Sequence, residues 1–159
     1  KLKKSPPAPI EIRLIDNTPH KECLRLKRES HILFDHLQDY YGVGSLEGLS
    51  QGLCVIAGLD EWNMDHIKKF TGTDHLPWRN VSPHTLSREL TKLIEDRVRL
   101  KEQSAFARAF IERSWSDEKT VSHLCRFYET ACDKHPLPYN NRPYSTDKSD
   151  RKSLSNRTY

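Results

Sequence analysis

Ser82–Trp115, SPHTLSRELTKLIEDRVRLKEQSAFARAFIERSW, is the stretch on which the reading of the fold turns. After Pro83 no glycine or proline interrupts it, and it mixes dense charge with periodic apolar residues. Ser82 suits an N-cap, and Pro83 suits the first helical position, where no N–H is needed. Leu86, Leu90, Leu93, Ile94 and Val98 recur at helical spacing. Ala105, Phe106, Ala109 and Phe110 resume the stripe beyond a polar gap at residues 101–104. The spacing predicts a helix from Pro83 to Ser114, about 48 Å long if unbroken. The alternative is a pair of helices parted near Gln103-Ser104.

Upstream, Asn17-Thr18-Pro19 reads as a helix start, with the helix running to about Tyr41 and closed by Gly42. Cys23, Leu26, Leu33, Leu37 and Tyr40 trace its buried face. A second helix is expected over Ser45–Ala57, with Leu46, Leu49, Leu53 and Ile56 on one side and Gly48 and Gly52 permitting a close helix–helix crossing. A third opens at Asp60 or Glu61 and closes near Gly72, with Met64, Ile67 and Phe70 inward, and Trp78 plugs the core where the long helix begins. Downstream, Ser116–Lys119 starts a last helix. There Val121, Leu124, Cys125, Tyr128, Ala131 and Cys132 form an uninterrupted stripe, read as buried, that ends at His135-Pro136. The one strand-like alternation, Ile10–Ile15, is read as an extended arm lying over the helices. The fold class is therefore all-α: a compact bundle of about five helices over residues 19–135. Extended basic arms flank it, at 1–18 and in a Pro/Ser/Arg-rich tail at 136–159.

Composition narrows the function classes. A third of the 159 residues are hydrophobic and 30% are charged, with a net charge of +4. That suits a helical domain with polar ends and not several buried sheets. No apolar run approaches the roughly 20 residues that span a bilayer, so no membrane association is expected. Lys1–Pro7 is followed by no hydrophobic segment and does not resemble a signal peptide. The start without Met reads as a domain cut from a longer chain. Both ends are basic, residues 43–78 are acidic, and residues 79–113 carry eight basic against five acidic groups. The four cysteines show no paired spacing, so they are expected as reduced core residues of an intracellular protein, nuclear rather than cytoplasmic.

No phosphate loop, nucleophile elbow or H-E-x-x-H is present. Gly42-Val43-Gly44, expected to follow a helix, reads as a turn. His31, Asp35 and Asp39 would share a helix face beside His36, and His123, Cys125, Cys132 and His135 give H-x-C-x6-C-x2-H. A metal site can use the first spacing, but the flanking ligands are missing, and the second matches no standard knuckle. No catalytic, cofactor-binding or metal-binding residue is expected. Val81–Leu90 resembles the second helix of a helix-turn-helix, which implies anchoring by Leu86 and Leu90. His84, Thr85, Ser87, Arg88 and Lys92, with Arg79 nearby, would then face nucleic acid. Glu89, Glu95 and Asp96 oppose that. The favoured reading is a non-enzymatic adaptor or scaffold module of a larger assembly, with a protein partner met by Ile10, Ile12, Leu14, Tyr139, Arg142 and Tyr144. Binding of DNA or RNA is the alternative, and the oligomeric state is left open.

Overall fold

The structure, a computed structural model, describes residues 9–134. Within them lie six helices and three short strands. In chain order these are α1 (His20–Arg28), β1 (Ile32–Phe34), α2 (Val43–Ser50), β2 (Cys54–Ala57), α3 (Glu61–Thr71), β3 (Arg79–Asn80), α4 (Leu86–Glu95), α5 (Arg97–Ser114) and α6 (Asp117–Lys134). The protein is mainly helical but not all-α. Its strands form one parallel sheet in the order β1-β2-β3. Ile32 pairs with Cys54, Phe34 with Ile56, and Ile56 in turn with Arg79.

This sheet corrects two expected helices. The first ends at Arg28 instead of Tyr41, because Ile32-Leu33-Phe34 pairs with β2. The second ends at Ser50, where Gly52, at φ 74°, turns the chain into β2. A residue with positive φ favours glycine, which has no Cβ to clash. All four residues of β2 are fully buried. A central parallel strand is covered on both faces, so its sequence is apolar throughout and lacks the alternation that marks a half-exposed strand.

Alternate β2 side chains feed two cores. Val55 and Ala57 join Leu49 of α2, Leu53 in the turn after it, Ile67 of α3, Trp78, and Ala107 and Phe110 of α5, with Leu33 packed alongside. Cys54 and Ile56 join Val81, Leu93 of α4 and Leu100 of α5, with Ile32, Leu86 and Leu90 beside them. Helices thus cover both faces, and α5 contributes to each core. Trp78 is buried as expected. Gly48 does permit a close approach, but onto strands: a Cβ there would lie 2.6 Å from Leu33 Cδ2 and 3.0 Å from Val55 Cγ2.

The long central helix is broken, though not at Gln103-Ser104. Asp96, at φ −101° and ψ 88°, leaves the helical region between α4 and α5. Its carboxylate accepts the Arg99 N–H at 2.9 Å and caps α5. The polar gap stays helical within α5, and Gln103 Nε2 donates to the Pro77 carbonyl at 2.7 Å. Ser82 does not cap α4 directly; residues 82–85 form a turn in which the Thr85 and Leu86 N–H groups reach the Ser82 carbonyl. In α3 the expected bounds stand: Asp60 accepts from the Asn63 N–H, and Gly72 closes the helix at φ 68°. Residues 10–15 form no strand among the described residues. Arg13 ties this arm to α1 through Glu29 at 2.8 Å, while Ile12 and Leu14 stay exposed instead of lying on the helices.

The chain separates into two compact units, residues 1–121 and 122–159. The second is described as far as Lys134 and consists of most of α6. The stripe of α6, which starts at Val121 at the end of the first unit, is exposed. Val121 is 56% exposed, Leu124 50%, Phe127 67% and Tyr128 63%, and Cys125 and Cys132 are exposed free thiols. The expectation of a structural, core-facing stripe is thereby corrected, as is that of core cysteines, except for Cys54.

Candidate functional site

The residues expected to face nucleic acid gather at the β3–α4 junction, and an acid sits among them. Arg79, at the start of β3, is half-buried and reaches across to α4, where its Nη2 donates to Glu89 Oε2 at 2.8 Å. Lys92 Nζ donates to Glu89 Oε1 at 2.8 Å, and Arg88 Nε lies 3.5 Å from the same oxygen. The hydrogen bond from Lys92, helped by that from Arg79 and opposed by partial burial, holds the Glu89 carboxyl down at about 2. Three of the candidate cations therefore converge on one carboxylate. Arg79 acts as a strut between sheet and helix, not as an exposed charge. Thr85 is also engaged locally, its Oγ1 accepting from the Ser82 N–H at 2.9 Å. His84, Ser87 and Arg88 are exposed. A shallow groove of about 570 Å³ at the α4–α5 break is lined by Lys92, Glu95, Asp96, Arg97, Val98 and Arg99. Its acids and bases nearly balance, so it presents no single-sign field to a phosphate backbone.

The supposed metal face on one helix dissolves. His31 precedes β1, while Asp35, His36 and Asp39 fall in the loop after it. Asp35 Oδ2 accepts from the Gly42 N–H at 2.8 Å and from Ser45 Oγ at 2.6 Å, so it ties the loop after β1 to the start of α2. His36 stacks on Tyr40, and Asp39 adopts φ 67°. Gly42-Val43-Gly44 follows a strand's loop and opens α2, correcting the expectation that it follows a helix. Asp35 places a carboxylate beside that helix end, which disfavours an anion there. A second polar cluster is also internally satisfied. Buried Lys27 donates to Glu47 at 2.6 Å and to the Gly44 carbonyl, and His20 Nε2 lies 2.8 Å from the other Glu47 oxygen. Burial opposes ionisation of Glu47, but the bonds from Lys27 and His20 outweigh it and hold its carboxyl below the usual range. Burial pushes the Cys54 thiol up to about 11, against the fields of Arg79 and Arg99, so it is a packing group and not a nucleophile. Among the described residues no group of three or more His, Cys, Asp or Glu side chains is placed to hold a metal. Nor is any described helix long and apolar enough to cross a membrane.

Of the expected partner-binding residues, Ile12 and Leu14 are exposed and Ile10 is half-buried. Tyr139, Arg142 and Tyr144, like His135 of the second metal pattern, lie outside the described residues. The surface that sequence reasoning missed is the α6 face of Val121, Leu124, Phe127 and Tyr128. Its periodicity was plain; whether its own chain covers it was not. A signal lay in its position, after the last core-forming helix and before a tail with no apolar period to pack against it. Set against family models, curated proteins and solved structures, the chain matches none.

Proposed function

We propose that this chain is a non-enzymatic protein-interaction module of a larger assembly inside the cell, docking through the apolar face of α6. The observation that carries this reading is the face itself: four bulky apolar side chains at helical spacing, each half or more exposed. Contiguous apolar area on a helix fits capture by a complementary helix or groove. Exposed Ile12 and Leu14 offer a secondary anchor, and Tyr139, Arg142 and Tyr144 are assigned to the same role from sequence. Four free thiols fit a reducing compartment. The basic ends of the sequence support a nuclear one. Against the nucleic-acid alternative, Glu89 draws in Arg79, Arg88 and Lys92.

The test replaces Leu124 with Glu. If α6 is a docking face, chemical denaturation at the lowest readable protein concentration shifts by less than about 0.5 kcal/mol, as for a surface site. A loss of several kcal/mol would place the stripe in the chain's own core and sink the reading. In parallel, a gel shift at two salt concentrations compares the natural chain with an Arg88→Ala, Lys92→Ala variant. Sequence-selective duplex binding, with a log–log salt slope that falls by about 0.9 per lost phosphate contact, would replace the reading with the nucleic-acid one.

A further inference from the structure

We propose that the occupant of the α6 face is a second copy of this chain, joined to the first as an antiparallel helix pair. The inference rests on the docking role proposed for α6 and adds the identity and geometry of the partner. Val121, Leu124, Tyr128 and Ala131 follow the 3-4-3 spacing of a heptad seam, on a helix that continues unbroken from Asp117 to Lys134. Cys125 and Phe127 flank that seam on opposite sides, and both are exposed.

Residue volumes along the seam choose the orientation. In an antiparallel pair centred on Arg126, Leu124 of one copy meets Tyr128 of the other, and Val121 meets Ala131. Each layer then sets a larger side chain against a smaller one, and the four layers are related by the two-fold axis. A parallel pair would stack Tyr128 on Tyr128 and Ala131 on Ala131, crowding one layer and leaving a void in the next, which close-packed interfaces avoid. The antiparallel surface is self-complementary, as a two-fold dimer requires.

Area sets the strength of this pairing. Val121, Leu124, Phe127 and Tyr128, exposed as they are, present on the order of 400 Å² per helix, and Cys125 and Cys132 add to this. Two copies would bury roughly 900–1,000 Å², below a standard specific interface and in the range of weak, transient pairs. The seam is sized for a weak, reversible dimer, not for an obligate one.

The experiment uses the whole chain. Sedimentation over a wide concentration range is expected to show a monomer–dimer equilibrium, and Leu124→Glu is expected to weaken it at least about 30-fold, as for a central interface residue. Orientation is read from the native thiols with a short bis-maleimide. Flanking positions such as Cys125 meet their own counterpart on one side of an antiparallel pair but lie on opposite sides of a parallel one. A covalent dimer lost on Cys125→Ser supports the antiparallel seam. A dimer that Leu124→Glu disrupts but that fails to cross-link through Cys125 overturns that orientation. A chain that stays monomeric overturns the self-pairing. If Leu124→Glu is then neutral to folding, docking onto a different protein survives; if it unfolds the chain, the docking role falls as well.

Discussion

Replacing Gly48 with Ala sets two known effects against each other, and the fold decides the sign. Gly48 is a buried residue of α2, and a glycine inside a helix costs up to about 1 kcal/mol relative to alanine. On propensity alone the variant should be more stable. The added methyl, however, would come within 2.6 Å of Leu33 Cδ2 and 3.0 Å of Val55 Cγ2, against roughly 3.5–4.0 Å for a comfortable carbon contact. Leu33 is half-buried and its methyl can swing aside. Val55 is fully buried and β-branched, so it cannot. Overpacking of this kind costs about 1–3 kcal/mol and exceeds the propensity gain, leaving a net loss of about 1 kcal/mol. Urea denaturation followed through tryptophan fluorescence, with Trp78 buried beside this contact network, reads the difference. Leu33→Ala alone should cost about 1–2 kcal/mol, less than a fully buried leucine. In the double variant the new methyl occupies space that Leu33 has vacated. Its loss should therefore fall short of the sum of the single losses by more than about 0.5 kcal/mol. Stabilisation by Gly48→Ala, or strict additivity in the double variant, would refute the packing of α2 against β1 and β2.

Three further outcomes follow from the same structure. Glu89 has a folded-state carboxyl near 2 against an ordinary 4.5, so its stabilising contribution is complete above pH 4.5 and drains away as the pH falls towards 2. Glu89→Gln should flatten that part of the stability–pH curve, and parallel curves for the two proteins would argue against the three-cation junction. Gly58→Ala should cost about 2–3 kcal/mol by denaturant titration, because its Cβ would meet backbone atoms, the Val81 carbonyl at 3.0 Å and Leu37 Cα at 3.1 Å. A neutral result there would mean that β2 and the segments after β1 and β3 are not so close. Asp96→Ala removes the cap that starts α5 and should cost about 1 kcal/mol in the same assay; no loss would mean that the break needs no cap.

Local chemistry was legible wherever it was self-contained. Asp60 and Gly72 bound α3 from sequence because a capping carboxylate and a left-handed glycine act within one turn. The last helix's start near Asp117 was close to expectation for the same reason, whereas the expected Ser82 cap and Pro83 helix start gave way to a turn at residues 82–85, with α4 opening at Leu86. Tertiary structure decided the rest. Ile32-Leu33-Phe34 and Cys54–Ala57 are apolar under either a helical or a strand period, and only pairing between segments about twenty residues apart makes them strands. The helix breaks at Asp96, which the sequence did not single out, and not at Gln103-Ser104, where Gln103 instead finds the Pro77 carbonyl, a partner distant in sequence. Glu89 was visible as a diluting charge, but that Arg79 reaches it from β3 depends on the approach of strand and helix. The stripe of α6 shows the division most plainly. Its amphipathic period is a property of the sequence, fixed by 3.6 residues per turn. Its exposure is a property of the assembled chain, because periodicity states that a face must be covered and says nothing of which surface covers it.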